Sequence, residues 1–317
     1  MAWNYASAAK TAVQVGTGAQ LLDAATANFY KAALDEAKNL YSQTPLEGLK
    51  YLKQKNVDKN NYSSQDVLAL GLVQVNTDLA EPPVDKQAVG FDQTISNYVM
   101  RLFTAIGREA LETDRFGVMG DQSRALMHSA KKTLERILAD PFNRGFGTTG
   151  LAVLAEDGLA MFRADRPQPR AGAGTWSNLD STGALTADAV ATNRISFNTY
   201  VDGNGDLDPQ MLEKVIVSPE LADTMKEISG STLKVDTSLN TTNVVVGTPY
   251  EVWHWLAANT VIYQGDCDNG VEFHVRKNPS ILAYNDGSNP DKFMTRLYMA
   301  VGAGVKRPGK FIGAQIT

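Results

Sequence analysis

Residues 121–143, DQSRALMHSAKKTLERILADPFN, decide how this chain is read. Leu126, Ala130, Leu134, Ile137 and Leu138 recur at three- and four-residue steps, which places them on one face of a helix. Arg124, Lys131, Lys132, Glu135 and Arg136 fill the other faces. The spacing predicts a long amphipathic helix from Asp121 to Asn143. Asp121 can cap it, because its carboxylate can accept from the free N–H groups of the first turn. Pro141 marks its end, since a helix rarely continues through proline. Such a helix is either a spine joining two parts of the molecule or an ordinary core helix, and local sequence alone does not separate the two.

On the N-terminal side the pattern changes period. Val73, Val75, Thr77 and Leu79 alternate with Gln74, Asn76 and Asp78, as in a half-buried strand. Glu81-Pro82-Pro83-Val84-Asp85-Lys86 breaks the run, because neither proline can donate to a ladder. A second β-prone limb runs from Phe91 through Ile95, Val99 and Phe103 to Ile106. Farther upstream, Leu22, Ala25, Phe29, Ala33, Ala37 and Leu40 trace a helical stripe, Pro45 opens a short helical piece through Leu52, and the polar residues from Lys53 to Ser64 read as loop. This arm has too few apolar residues for a core of its own and should lie on something else.

On the C-terminal side, Gly145 to Gly150 and Gly158 to Gly174 read as flexible or loop segments. Thr186 caps an expected helix through Tyr200, using Val190, Phe197, Val201 and the Arg194 stem. Val215-Ile216-Val217 is a wholly apolar, hence interior, strand, and Ser218-Pro219-Glu220 opens another helix with proline at its favoured first position. Asn243 to Val246 reads as a further strand. Val261-Ile262-Tyr263 and Val271 to Val275 flank Asp268-Asn269-Gly270, a strong hairpin signal. Phe293 to Val305 is a last β-prone run, and no internal repeat is visible.

With 317 residues the chain can form two compact regions or one large domain with extensions. Hydrophobic residues make up 43% and charged residues 21%, so a substantial core is available and general disorder is not expected. A net charge of −5 argues against a protein whose main task is to neutralise phosphates. The lone Cys267 rules out an internal disulfide framework and suits a reducing compartment. Neither a secretory signal nor an apolar run of membrane-spanning length is visible.

The motifs that could carry chemistry all fail in context. Gly145-x-Gly147-x-x-Gly150 has the dinucleotide spacing but follows a helix, not a strand. Gly304 to Lys310 spells the start of a phosphate-binding loop, but Phe311 stands where a hydroxyl is needed and too few residues follow to form its helix. Asp202, Asn204, Asp206, Asp208 and Glu213 occupy calcium-loop positions, yet Leu207 replaces the turn glycine, Pro209 disrupts the loop and a strand follows. His128, His254 and His274 have no metal-type spacing, and Glu109, Glu112 and Asp114 read as a solvated acidic connector. No catalytic residue, cofactor site or metal site is expected.

Several landmarks stand in order along the chain. Thr94-Ile95-Ser96-Asn97-Tyr98 through Glu109-Ala110-Leu111-Glu112-Thr113-Asp114 gives a strand and acidic connector, and Arg115-Phe116-Gly117-Val118-Met119-Gly120-Asp121 leads into the helix. Asp157-Gly158-Leu159-Ala160-Met161-Phe162, Val215-Ile216-Val217-Ser218-Pro219, and Lys306-Arg307-Pro308 to Phe311-Ile312 follow. In that order and spacing, most of residues 66 to 317 resembles the major capsid proteins of tailed phages, the Hong Kong 97-type fold, and in particular the Mu-like major head subunit branch.

The resemblance implies an α+β fold with an N-terminal arm (1–67), an extended E-loop and peripheral strand (68–105), a peripheral domain with the spine helix (106–145), an axial domain (146–270), peripheral-domain strands (271–306) and a return to the axial domain (307–317). It implies a structural protein and not an enzyme: the major capsid protein of a bacteriophage virion. Its copies would assemble in the bacterial host cytoplasm through hexamers and pentamers into an icosahedral shell. That shell would enclose double-stranded DNA without sequence-specific binding, with no membrane and no cofactor. Scaffold, portal and decoration proteins are the further partners implied. Val73, Val75 and Leu79 on one limb, Phe91 and Ile95 on the other, and Glu81, Pro82, Pro83, Asp85 and Lys86 at the tip would meet a neighbouring subunit. An encapsulin-like compartment with protein cargo, or a calcium-binding adhesin or enzyme domain built on Asp202 to Glu213, are the alternatives.

Overall fold

The computed structural model describes residues 35, 45–67, 89–107, 109, 118–147, 154–168, 174–203, 205–234, 241–265, 270–286 and 289–316. The expected helical stripe from Leu22 to Leu40, the strand from Val73 to Leu79 and the proline tip lie outside these residues.

Helix α1 runs from Val118 to Asn143. Leu126, Ala130, Leu134 and Leu138 are all buried, so the apolar face read from the sequence is the face that packs. Val118 to Gly120 are already helical, which puts Asp121 inside the helix rather than at its cap, paired with Arg124 Nη1 at 2.9 Å. There its charge still favours the positive end of the helix dipole. Pro141 lies inside the last turn. The helix carries on past it because Phe142 is fully buried and the Arg144 N–H donates to the Asp140 carbonyl at 3.0 Å.

A four-stranded sheet packs on α1, in the order β1 (Lys53–Asn56), β11 (Val271–Asp286), β12 (Asn289–Val305), β4 (Tyr98–Gly107). β2 (Asn61–Val67) and β3 (Val89–Ser96) form a separate antiparallel ribbon. The loop expected from Lys53 to Ser64 therefore contains β1 and the start of β2. Neither is apolar enough to read as a strand: β1 is a polar edge held by its backbone pairing with β11, and β2 is held by β3. The ribbon begins at Asn61, so a boundary at 67/68 falls within it. The second β-prone limb is split at Asn97 between the ribbon and the sheet.

After short ribbon strands β5 (Arg166–Pro167) and β6 (Thr175–Trp176), a five-stranded sheet follows in the order β7 (Leu179–Asp180), β13 (Phe311–Gln315), β10 (Thr260–Gln264), β8 (Lys214–Val217), β9 (Tyr250–Val252). One face, with Val215, Val217, Val261, Tyr263 and Ile312, is covered by α2 (Ala187–Asn198) and α3 (Ala222–Gly230). The other face, with Ile216, Ile262 and Phe311, joins the core of α1. Thr186 caps α2 as expected, accepting from the Ala189 N–H at 3.1 Å. Pro219 opens a 3₁₀ turn that runs into α3.

Two expectations fail. Asn243 to Val246 is a turn, because the Asn243 amide donates to the Ile228 and Ser231 carbonyls and accepts from the Val245 N–H, satisfying the backbone locally. β10 and β11 do not form a hairpin. β10 belongs to the five-stranded sheet and β11 to the four-stranded one, so the segment around Asn269-Gly270 passes the chain between sheets.

Glu135, expected on a polar face, is only 2% exposed and accepts from the N–H groups of Glu47 at 2.5 Å and Gly48 at 3.1 Å. It clamps the 3₁₀ turn Glu47–Lys50 onto the helix, where a Cβ added at Gly48 would meet Leu138 at 2.7 Å. Burial pushes the Glu135 carboxyl above its ordinary value, while the two N–H donors pull it back. With the folded value above the unfolded one, its contribution to stability falls as pH rises from about 4.3 through the folded value. Glu135→Gln keeps an acceptor and should abolish that fall, read as the urea midpoint of unassembled subunits against pH. Glu135→Ala should cost about 1–3 kcal/mol, because two buried donors lose their partner. Equal stability of Glu135→Ala and the parent would show that the clamp is idle.

Candidate assembly interface

The residues expected at an interface between copies fall into two groups. Val73, Val75, Leu79, Glu81, Pro82, Pro83, Asp85 and Lys86 lie outside the described residues. Phe91 and Ile95 lie on β3, with Phe91 half-buried and Ile95 only 3% exposed. Ile95 is turned to its own chain: a Cβ added at Gly304 would meet its side chain at 2.4 Å, and one at Gly302 would meet the Ser96 carbonyl at 2.4 Å. These glycines of β12 form a seat on the side of the sheet away from α1, and the base of the ribbon rests in it. The absence of side chains at 302 and 304 is what permits the close approach.

A buried polar cluster flanks the seat. His274 and Glu272 are both buried on β11, and the His274 ring nitrogen Nε2 lies 2.9 Å from Glu272 Oε2. The hydrogen bond from His274 holds the Glu272 carboxyl below its ordinary value against burial, with Lys55 and Lys306 helping. Tyr62 of the ribbon meets the His274 ring edge-on at 5.2 Å, and Lys55 donates to the Tyr62 hydroxyl at 2.7 Å. Asn97 closes the corner, its amide donating to the Lys59 carbonyl at 3.0 Å. The base of the ribbon is thus fixed by its own subunit.

β4 is different. It is an edge strand, and Tyr98, Val99, Leu102 and Phe103 stay exposed on it. Strand alternation puts Tyr98 and Leu102 on one face and Val99 and Phe103 on the other. A ten-residue edge with apolar side chains on both faces, and with no ladder partner on its outer side among the described residues, favours association. Tyr98, Leu102 and Phe103 were not among the interface residues read from the sequence. Their β-prone run was legible, but not that it would end at a sheet edge.

Among the described residues, none of those weighed for chemistry forms a reacting constellation. Asp202 accepts from the Asp206 N–H at 2.9 Å and closes a turn around Gly205, which has a positive φ of 91°. Gly304 lies in β12, and Gly309 is pressed against Tyr200 in a turn that leads into a strand. Gly145 sits against Pro141 and Met161. Gly150, Asn204, Cys267, Glu112 and Asp114 lie outside the described residues. His128 is exposed on α1, and His254 lies 3.2 Å from Glu47. Among the described residues no cluster of His, Cys, Asp and Glu could hold a metal, and no helix is long and apolar enough to cross a membrane.

A family model described as phage capsid protein matches residues 101–313. No curated protein matches the sequence. Among solved structures, one from Microbacterium phage Oxtober96 is similar at 13% identity with a TM-score of 0.53, over 98% of this chain and 97% of that one. The capsid of a native GTA particle is similar at 11% identity with a TM-score of 0.59, over 86% and 91%. The capsid of Myoviridae phage XM1 is similar at 11% identity with a TM-score of 0.54, over 86% and 92%. At these identities the likeness is one of fold.

Gly302→Val should unseat the base of the ribbon, because the neighbour at 2.4 Å is backbone and cannot rotate away. Overpacking of this kind costs about 1–3 kcal/mol. Hydrogen exchange of the amides from Phe91 to Ser96 should quicken; unchanged protection with unchanged melting would refute the seat. Calcium should leave the melting temperature unchanged, with a rise that disappears in Asp202→Ala as the contrary result.

Proposed function

This chain belongs to the phage capsid protein family as a major capsid protein of the tailed-phage type, and we propose that its copies close through hexamers and pentamers into an icosahedral shell around double-stranded DNA. Its first partner is itself, in the capsid of the virion. The observation that carries the reading is the β4 edge, with exposed apolar side chains on both faces and no strand paired along its outer side among the described residues. An isolated subunit gains nothing from such an edge, whereas a neighbour can bury it.

In this reading the sheet of β1, β11, β12 and β4, with α1 as its spine helix, is the peripheral domain. The sheet of β7, β13, β10, β8 and β9, with α2 and α3, is the axial domain. The ribbon of β2 and β3 is the base of the E-loop. Residues 68–88 would carry the outer part of that loop, with Val73, Val75, Leu79 and the tip from Glu81 to Lys86 reaching the next subunit. A two-stranded ribbon is at best marginal in water, so its outer part would gain its stability from a neighbour. The placement in the Mu-like branch rests on the ordered landmarks of the sequence. Scaffold, portal and decoration proteins, and assembly in the host cytoplasm, belong to the same proposal.

Full-length protein should sediment as shells, hexamers or pentamers, and electron microscopy should show closed particles. A compact monomer at every concentration and salt tested would overturn the reading. Leu102→Glu with Phe103→Glu should leave the cooperative melting of the subunit nearly unchanged, since both side chains are exposed, and should abolish shells. Replacing residues 78–86 by a short Gly-Ser turn should do the same. Normal shells from either variant would remove that element from the interface.

A further inference from the structure

The outward face of α1 carries a basic charge pattern. Arg124, His128, Lys132 and Arg136 recur at every fourth residue and all are exposed. At 1.5 Å and 100° per residue they form a row about 18 Å long that winds by roughly 120° around the helix axis. Lys131 borders the stripe, half-buried, where its charge acts on Glu135. Between Gln122 and Ala139 the sole carboxylate is Glu135, and it is buried beneath the Glu47 turn. The exposed surface of this stretch is therefore of one sign, in a chain whose net charge is −5.

The pattern is the reverse of one that would stabilise the helix. Like charges four residues apart repel, where an interleaved glutamate would support the helix. The bases also lie toward the N-terminal and middle turns, while the last turn, where a cation would favour the dipole, has none. Arg124 has Asp121 as an exposed partner at 2.9 Å and the charge of Arg136 acts on Asp140, whereas Lys132 has no ion pair among the described residues.

We propose that this stripe is a surface on the inside of the shell that contacts the phosphate backbone of the enclosed double-stranded DNA, without reading its sequence. The inference rests on the reading of the chain as a DNA-enclosing shell. Charge complementarity selects the occupant. Duplex DNA presents roughly one negative charge per 1.7 Å of axis, and neighbouring cations of the row, such as Lys132 and Arg136 some ~40° apart, can meet it without a shaped pocket. An acidic protein segment would need apolar anchors for a specific fit, and the exposed positions of the stripe offer no large apolar side chain.

The test uses full-length subunits before assembly and intact shells. Anisotropy of a labelled duplex of about 30 base pairs, titrated at several salt concentrations, should give a binding constant that falls as salt rises. Lys132→Gln with Arg136→Gln should reduce the slope of log K against log salt by about two. Lys277→Gln with Lys292→Gln, on the helix-free side of the same sheet, should leave the slope unchanged. Intact shells should not bind duplex added from outside. An unchanged slope in the α1 variant, equal binding by intact shells, or competition by poly-glutamate as strong as by DNA at equal charge would each overturn the proposal, the last in favour of an acidic protein. If no shells form at all, the capsid reading fails, while the subunit titration still decides whether the stripe holds DNA.

Discussion

The fold depends on one helix that packs on the four-stranded sheet and buries its end against the five-stranded one. Phe142, in the last turn of α1, meets Trp253 edge-on at 5.5 Å and Phe311 at 5.3 Å. Trp253 follows β9, and Phe311 opens β13. Tyr51 adds its ring to Trp253 at 4.8 Å, bringing the segment before β1 to the same point. Asn143 fixes the direction of exit, its amide donating to the Trp255 carbonyl at 2.9 Å and its oxygen accepting from the Ala257 N–H at 2.7 Å. Each aromatic pair is worth about 0.5–1.5 kcal/mol beyond the area it buries. Their larger effect is geometric: they couple the angle between the sheets to the helix, so that edge strand and ribbon project from a stiff frame.

Beyond that joint, the long loops of the second half are held by polar side chains, not by ladders. Arg166 and Asp157 form a pair in which both side chains are 2% exposed, and the Arg166 guanidinium also donates to the Ala160 and Met161 carbonyls. Asn178 donates to the Met161, Pro308 and Phe311 carbonyls and accepts from the Arg163 N–H. Removing one partner from such a network leaves a buried polar group unpaired, so the segments it fastens hold their place as a unit. A subunit that must present the same edges in every copy gains more from fixed loops than from a larger core.

What could be read in the sequence was what depends on neighbours a few residues away. The helical period of Leu126 to Leu138, the Thr186 cap and the apolar run of β8 each declare themselves within one or two turns. What could not be read depends on partners far along the chain. Glu135 looks like a surface residue until Glu47 and Gly48 arrive beneath it. β1 and β2 are polar and become strands because β11 and β3 offer them a ladder. Asn269-Gly270 signals a change of direction but cannot say which sheet each flanking strand will join. The interface residues divide in the same way: Ile95 is apolar because it must fit over Gly304 in its own subunit, which its position on a β limb could not reveal.

This contrast separates folding from assembly. Where the chain can satisfy a group by itself, it does so closely: glycines cleared under Ile95 and Ser96, a carboxylate placed beneath two N–H donors, an imidazole against Glu272. Two features of the surface are met by the subunit only in part. Among the described residues the β4 edge has no ladder partner on its outer side and carries exposed apolar side chains on both faces, and the outward face of α1 is mostly basic, with Asp121 and Asp140 only at its ends. A subunit selected for its own stability would gain from a charge at Leu102 or Phe103 and from an exposed carboxylate beside Lys132, because the nearest one, Glu135, is buried beneath the Glu47 turn. That these positions remain apolar in one place and cationic in the other argues that their partners are supplied from outside the subunit, an apolar one at the edge of the sheet and an anionic one along the helix.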